Sequence, residues 1–203
     1  MAKNMQPVLK RCRTLGVSPA AMGYGSKKVE AINMRKPGGQ RRAKKSEYAT
    51  QLTEKQKVKF VYGIQEKQFR NYYDKAARMA GNTGEELLTF CERRLDNVVY
   101  RLGFANSRRQ ARQLVNHGHF TVNGNRVNIP SYLIKVGDVV AVCEKSVSNT
   151  FFKTLKEADA FVAAPKWLDR DKNTLQGKVI AMPTKADIDF DIAVHLIVEL
   201  YSK

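Results

Sequence analysis

The chain has 203 residues and carries 36 lysines and arginines against 19 aspartates and glutamates, a formal net charge of +17. Such an excess of positive charge predicts a polyanionic partner, and a content of 43% hydrophobic residues excludes a wholly disordered protein. No apolar run approaches the ~20 residues of a membrane span, and residues 1–13 lack the apolar stretch of a secretory signal. We therefore expect a cytoplasmic protein with no membrane partner.

The positive charge is concentrated at the start of the chain. Residues 1–45 contain 12 lysines and arginines and a single acid, Glu30, which leaves a net charge of +11. Large apolar side chains are few and breakers are frequent, so we expect an extended basic arm with no core of its own. Such an arm either binds nucleic acid or remains a solvated tail. Its candidate RNA-binding residues are Lys10, Arg11, Arg13, Lys27, Lys28, Arg35, Lys36, Arg41, Arg42, Lys44 and Lys45.

Helices are predicted next. Ser46 is placed to cap a helix that ends at Gly63, a second helix runs from Gln65 to Gly81, and Thr83 opens a third with the spacing of a capping box. The aromatic residues recur at helical spacing, which is typical of a core and also compatible with base stacking. The candidate RNA contacts of these helices are Lys55 and Arg70.

Two arginine-rich helices follow. The first covers residues 92–103 and the second begins after Ser107, and in both the apolar residues form one stripe that leaves the polar residues on the other side. Like charges one turn apart destabilise a free helix, so this pattern indicates a phosphate-binding face. In the alternative, the arginines pair with carboxylates, although residues 91–150 contain only four acids. The candidate residues are Arg93, Arg94, Asn97, Arg101, Arg108, Arg109, Arg112, Gln113 and Asn116.

A small antiparallel sheet is predicted after these helices. Asn123-Gly124 lies between two strand-like runs, which is the strongest short-range signal for a hairpin, and a further strand covers residues 139–142. His117 and His119 flank Gly118 where the second helix meets the first strand. These histidines either donate to phosphates or cap the last helical carbonyls, and we weigh the two roles evenly.

The C-terminal region is electrically neutral. Asp187, Asp189 and Asp191 alternate with apolar residues, which predicts a half-buried strand. A neutral, acid-bearing region next to a basic body also suits a protein neighbour.

The stretch from Arg93 to Val142 resembles the ribosomal S4 RNA-binding module. The resemblance is specific at Arg94-Leu95-Asp96, at Ser107-Arg108-Arg109-Gln110-Ala111 and at Val122-Asn123-Gly124. Flanking residues, including Leu196-Ile197-Val198-Glu199, extend it to nearly the whole chain, so the sequence resembles the bacterial small-subunit ribosomal protein S4 family.

The resemblance implies an α+β fold with three parts. These are a basic RNA-binding arm at residues 1–45, a mainly helical domain formed by 46–90 with 151–203, and an inserted module at 91–150 with two helices and a small antiparallel sheet. Many relatives bind zinc through four cysteines in the arm, but here only Cys12 matches, and Leu9, Ser26 and Ala31 stand at the other positions. We therefore expect no metal and no cofactor.

The resemblance also implies the function. It implies a structural constituent of the small ribosomal subunit that binds 16S rRNA at a junction of the five-prime domain, nucleates assembly and contributes to translational accuracy. It implies contacts with ribosomal protein S5, with other small-subunit proteins and with messenger RNA where it enters the subunit. The alternative is a free RNA-binding regulator or ribosome rescue factor built on the same module. Catalysis is not expected, because no nucleotide-binding loop or nucleophile with a base is recognisable.

Overall fold

The computed structural model describes residues 7–25, 27, 30, 46–157, 164–171 and 174–202. The chain forms two compact units, residues 1–87 with 188–203 (the helical unit) and residues 88–187 (the sheet unit). No helix in the described part of the chain has both the length and the hydropathy needed to cross a membrane.

Helices form the first part of the described chain, and the strands follow in two groups separated by two helices. In chain order they are α1 (Val8–Leu15), a 3-10 helix (Pro19–Met22), α2 (Glu47–Tyr62), α3 (Glu66–Ala76), α4 (Thr83–Glu92), α5 (Leu95–Arg101), α6 (Arg108–Asn116), β1 (Phe120–Val122), β2 (Asn125–Arg126), β3 (Val139–Val142), α7 (Glu144–Val147), α8 (Thr150–Glu157), β4 (Leu168–Asp171), β5 (Gln176–Val179), a second 3-10 helix (Lys185–Asp187) and α9 (Val194–Ser202).

The first helices confirm most of the predicted boundaries. The Oγ of Ser46 accepts a hydrogen bond from the Ala49 N–H at 3.2 Å, and Gly63 ends α2 with a φ of +62°. In contrast, α3 ends at Ala76, before Gly81. The cap of α4 also differs from the predicted capping box, because the Asn82 side chain accepts from the Gly84 N–H at 3.0 Å.

Residues 7–25 contribute to a hydrophobic core, which corrects the prediction of an arm without a core. Residues Cys12, Leu15, Val17, Ala21 and Met22 are buried, and they pack on the apolar side of α2. These side chains are small or of medium size, but they can form a core because α2 supplies the larger apolar surface that residues 7–25 lack. Residues 31–45 of the predicted arm lie outside the described part of the structure.

The C-terminal helix completes the helical unit. The Ala193 N–H donates to Oε2 of Glu54 at 3.2 Å, so a buried carboxylate of α2 satisfies the start of α9. The predicted strand at residues 187–192 is wrong, because residues 188–193 are irregular. Within the described part of the chain no strand pairs with them. Ile192 is instead buried in the unit, and the Phe190 ring lies 6.1 Å from that of Tyr62.

The sheet unit packs α5 and α6 on an antiparallel sheet. Among the described residues the strand order is β2-β1-β3-β5-β4. Phe120 of β1 pairs with Val142 of β3, and Val140 of β3 pairs with Gly177 of β5. Trp167 is buried in the same core.

The two units divide the chain at different residues from the predicted domains. Residues 151–187, which we assigned to the helical domain, belong to the sheet unit. The physical reason is strand pairing, since β5 hydrogen bonds with β3 and β4 continues the sheet beyond it. The predicted class, α+β with a helix-helix-sheet module, is confirmed.

Candidate nucleic-acid interface

One face of α6 presents a polar surface built by helical periodicity. Ser107 caps the helix, its Oγ accepting from the Gln110 N–H at 3.3 Å. Ala111 and Val115 are fully buried in the core. The residues on the opposite side form a stripe with one member per turn, which we call the α6 stripe. Its exposed members are Arg109, Gln113 and His117, and Arg112 and Asn116 lie half-buried beside it.

Several residues predicted to face outward are instead buried around Glu92. The carboxylate of Glu92 accepts from Nε and Nη2 of Arg101 at 3.1 and 2.9 Å, and from Nδ2 of Asn97 at 2.6 Å. Nε of Arg108 donates to Oδ1 of Asn97 at 2.8 Å, and its guanidinium lies 4.5 Å from the centre of the Tyr100 ring. The prediction of an outward position is therefore wrong for Asn97, Arg101 and Arg108, which are all buried. The Glu92 carboxylate binds Asn97 and Arg101, and Asn97 in turn binds Arg108.

A second buried carboxylate, that of Asp96, binds two further arginines. Arg94 donates to Oδ1 and Oδ2 from Nε and Nη2, at 3.0 and 2.8 Å. Arg112 donates to Oδ2 from Nε and Nη2, at 2.8 and 2.6 Å. Arg94 is only 3% exposed, so its predicted outward position is also wrong, whereas the Arg112 side chain keeps 23% of its surface exposed.

The pairing alternative weighed against phosphate binding is thus correct for three arginines, Arg94, Arg101 and Arg112. Two acids suffice because each carboxylate accepts from more than one side chain. Arg93 is half-buried, and its Nε donates to the Ile134 carbonyl at 2.8 Å. Of the predicted arginines in α5 and α6, Arg109 is the one that the structure places in full exposure.

The end of α6 is closed by a residue that was not among the predicted contacts. Arg126 donates from Nε to the Gly118 carbonyl at 2.9 Å and from Nη2 to the His117 carbonyl at 3.1 Å. These two carbonyls lie just past the end of α6, whose last carbonyls accept from the backbone N–H groups of His117, Gly118 and His119. The sequence feature that could have predicted this position of Arg126 is the Asn123-Gly124 hairpin. It turns the chain back so that Arg126 pairs with Thr121, close to Gly118. Arg126 extends the basic surface from α6 onto β2.

The two histidines differ in their surroundings. Nδ1 of His119 lies 2.9 Å from Oγ of Ser146, and its ring is 6.0 Å from that of His117. Burial, followed by the nearby His117 and Arg126, lowers the pKa of His119 below its usual 6.5. His119 is therefore mainly neutral at neutral pH, whereas His117 is exposed on the α6 stripe.

The predicted contacts in the helical unit fall into three groups. Lys10, Arg13, Lys27 and Arg70 are exposed. Arg11 is half-buried and donates from Nη2 to Oε1 of Gln56 at 3.3 Å. The remaining predicted contacts at the start of the chain lie outside the described residues, and they are Lys28, Arg35, Lys36, Arg41, Arg42, Lys44 and Lys45.

Lys55 is engaged in a cluster around Glu66. Its Nζ lies 2.9 Å from Oε1 of Glu66, and the hydroxyl of Tyr201 donates to the same oxygen at 2.8 Å. Partial burial acts to raise the pKa of Glu66, but hydrogen bonds from Lys59, Lys55 and Tyr201 outweigh it and lower the pKa to about 2. The guanidinium of Arg70 lies 5.6 Å from the centre of the Tyr201 ring, which holds this exposed cation on the surface of α3.

Sequence reasoning missed other cations of α3. Lys67 and Lys75 are exposed, and Asn71 lies exposed between them. Their spacing of four residues places all three on one helical face, a signal that was available in the sequence.

The described residues contain no group of three or more histidine, cysteine or acidic side chains that could hold a metal ion. Cys12, the one cysteine that the resemblance aligned with a zinc-ligand position, is buried among apolar residues of the helical unit.

Comparison with known protein families places this architecture in a class. A family model described as the S4 domain matches residues 93–140, and a model described as the Ribosomal protein S4/S9 N-terminal domain matches residues 3–92. The fold described above and the two family models together define the chain as an S4-domain protein.

Curated relatives match the chain from end to end. Proteins named small ribosomal subunit protein uS4 are 55% identical in Caldicellulosiruptor bescii, 52% in Fusobacterium nucleatum subsp. nucleatum and 51% in Clostridioides difficile. Each alignment covers 100% of this chain and 100% of the relative. The chain belongs to the small ribosomal subunit protein uS4 family.

Proposed function

We propose that this protein is a structural constituent of the small ribosomal subunit, binds 16S rRNA and works in the cytoplasmic ribosome without catalysis. The observation that carries this function is the full-length identity of 50–55% with curated relatives that are all small ribosomal subunit proteins. A free regulator or rescue factor is not favoured, because the match extends through both family models rather than through the S4 domain alone.

The α6 stripe and Arg126 are the proposed RNA-contacting surface of the sheet unit. Arg109 offers a planar fork of N–H donors, and Gln113 and His117 add polar groups one and two turns further along. A-form RNA hides its base edges in a deep, narrow groove, so a rigid helix of this kind reads phosphates and 2′-hydroxyls, and hence the shape of a folded junction. In the helical unit, the exposed cations of α3 supply a second proposed contact surface.

Direct binding tests the proposal. The full-length protein is titrated with a transcript of the 16S five-prime domain, and an equal-length scrambled RNA serves as competitor, in a salt series from about 50 to 200 mM. If six to ten phosphates are neutralised, affinity should fall by roughly 10³ to 10⁵ across that range. Preference for the transcript should persist at the highest salt. Equal affinity for both RNAs would contradict the proposal.

Variants then locate the surface. Arg109→Ala should weaken binding to the transcript and reduce the salt slope by about 1, without changing the thermal unfolding of the protein. Lys156→Ala is the matched control, because it removes one exposed positive charge from α8 in the same unit. If Lys156→Ala reduced the affinity as much as Arg109→Ala, net charge rather than the α6 stripe would explain binding.

We also infer the finer contacts that the family resemblance implies. The protein would nucleate assembly at the five-prime domain, contact ribosomal protein S5 and messenger RNA where it enters the subunit, and support accurate decoding. The exposed Asp191 and the neutral C-terminal region supply a surface suited to a protein neighbour. Cross-linking of assembled small subunits through a cysteine placed at position 191 tests this. Capture of RNA alone would reject the protein contact.

A further inference from the structure

The carboxylate of Asp96 joins a buried arginine to a partly exposed one. It accepts two hydrogen bonds from Arg94, at 3.0 and 2.8 Å, and two from Arg112, at 2.8 and 2.6 Å. Asp96 lies in the first turn of α5, and Arg112 lies in the middle of α6. The contact therefore fixes the guanidinium of one helix against a carboxylate of another.

The two arginines of this cluster differ in exposure. Both donate to the same carboxylate. Arg94 and Asp96 have side chains that are only 3% and 4% exposed, whereas that of Arg112 is 23% exposed. Asp96 therefore holds one guanidinium in the interior and another that reaches the surface, beside the α6 stripe.

The cluster around Glu92 shows what a purely interior arrangement looks like. There the Arg101 and Glu92 side chains are 7% and 1% exposed. The two clusters share the same chemistry, a carboxylate that accepts from two donors of one arginine. They differ in that the Asp96 cluster emerges at the surface.

We propose that Asp96 is a positioning residue for RNA binding, which holds the Arg112 guanidinium in a fixed orientation beside the α6 stripe. This inference rests on the proposed function. A guanidinium that is already ordered loses less conformational freedom when it binds, and its direction selects among phosphate arrangements.

The sign of one substitution separates positioning from net charge. Asp96→Asn removes a negative charge, so electrostatic attraction alone would strengthen binding to every RNA. Positioning has the opposite consequence for the cognate RNA. We expect Asp96→Asn to bind the 16S five-prime-domain transcript about 3- to 10-fold more weakly, and to bind the scrambled RNA at least as tightly as the unsubstituted protein.

Glu92→Gln is the matched control. It also neutralises a buried acid that binds an arginine, but that arginine is Arg101. Unfolding of both variants is followed by fluorescence of Trp167, the single tryptophan of the chain, and binding is measured below both transitions. We expect Glu92→Gln to lose stability and to keep its affinity for the transcript.

A double-mutant cycle shows whether Asp96 acts through Arg112. In the Arg112→Ala background, Asp96→Asn should cause no further loss of affinity for the transcript. Arg112→Lys provides a second test of the positioning role, at a side chain that is partly exposed and therefore easier to substitute without unfolding the protein. It keeps the charge and loses the two-donor contact, so the affinity should fall while the salt slope stays unchanged.

The outcomes are distinguishable. If the unsubstituted protein shows no preference for the transcript, the proposed function fails. If that preference is present but Asp96→Asn or Arg112→Lys binds the transcript as tightly as the unsubstituted protein, the positioning role of Asp96 is wrong and the RNA-binding function stands. An equal loss from Asp96→Asn with and without Arg112 would also overturn the inference.

Discussion

The helical unit and the sheet unit are both rich in cations but use them differently. In the helical unit, Lys55 and Lys59 pair with Glu66, whose side chain is 48% exposed. In the sheet unit, Arg101 and Arg94 pair with Glu92 and Asp96, whose side chains are 1% and 4% exposed. Runs of basic residues with similar density in the sequence therefore give surface charge in one unit and an interior network in the other.

The residue type explains the difference. The planar fork of arginine donates in parallel to both carboxylate oxygens, so that a buried pair is satisfied, whereas lysine extends an apolar stem and keeps its ammonium near water. A buried pair of this kind adds little net stability, but the loss of one partner leaves an uncompensated charge in the interior. The two units should thus respond differently to the same kind of substitution.

Removal of the carboxylate at position 92 should have the largest effect. Glu92→Ala leaves Arg101 buried without its carboxylate, so we expect the free energy of unfolding of the sheet unit to fall by about 3–5 kcal/mol. Urea denaturation followed by Trp167 fluorescence measures it. Glu85→Ala, an exposed acid of the same helix, is the control and should change the value by less than about 0.5 kcal/mol. Equal effects would mean that the loss of Glu92 leaves no uncompensated charge in the interior.

A glycine tests the packing of β5 on α5. A Cβ at position 177 would lie 2.6 Å from Cδ1 of Leu102 and nearer still to Cδ2. Because Leu102 is fully buried, Gly177→Ala should reduce the free energy of unfolding of the sheet unit by about 1–3 kcal/mol. Leu102→Ala removes the clashing atoms and also the packing of Leu102. In that background, Gly177→Ala should therefore cause no further loss of stability. A Gly177→Ala protein as stable as the parent would contradict the assignment of residues 176–179 to this core.

The buried acid of the helical unit provides the direct comparison with Glu92. Glu54 is 8% exposed and accepts from the Ala193 N–H at 3.2 Å and from Lys57 at 2.5 Å. Lys57 is partly exposed and can turn to water, so Glu54→Ala should lower the free energy of unfolding by only about 1–2 kcal/mol, mainly through the start of α9. Far-UV circular dichroism during urea denaturation measures the change. A loss as large as that from Glu92→Ala would mean that the two units respond alike to the loss of a buried acid.

The Glu66 cluster should give the smallest effect, and one that depends on pH. Its folded-state pKa of about 2 lies below the ordinary 4.5, so the unfolded chain binds the proton more readily. The contribution of Glu66 to stability is therefore complete above about pH 4.5 and is lost as the pH falls toward 2. Melting temperatures of the parent and Glu66→Gln should converge across this window, and a constant difference between the two would contradict the low pKa.

Local signals in the sequence located many elements correctly. Ser46 and Ser107 cap helices because their hydroxyls reach backbone N–H groups within the same turn. Asn123-Gly124 forms the hairpin because both residues adopt positive φ, +49° and +82°. These features depend on neighbours within a few residues, and the resemblance to the S4 module rests on the same local pattern.

Long-range features escaped prediction for a physical reason. From the sequence we assigned residues 151–203 to the helical domain, but β5 pairs with β3, and β4 pairs with β5, which attaches both strands to the sheet unit. Cys12 and Leu15 lie in a basic segment, and only the surface of α2 explains how they become buried. Strand pairing and helix packing join residues far apart in the chain, which periodicity does not reveal.

The sequence by itself determined the net charge, the helix caps, the hairpin and membership of an RNA-binding family. Tertiary structure alone decided which cations face solvent, since Arg94 and Arg109 occupy similar basic runs, yet one is 3% exposed and the other is exposed on α6. The reason is that burial of a guanidinium requires a carboxylate placed to accept its hydrogen bonds. The packing of α4, α5 and α6 places the carboxylates of Glu92 and Asp96 in this way.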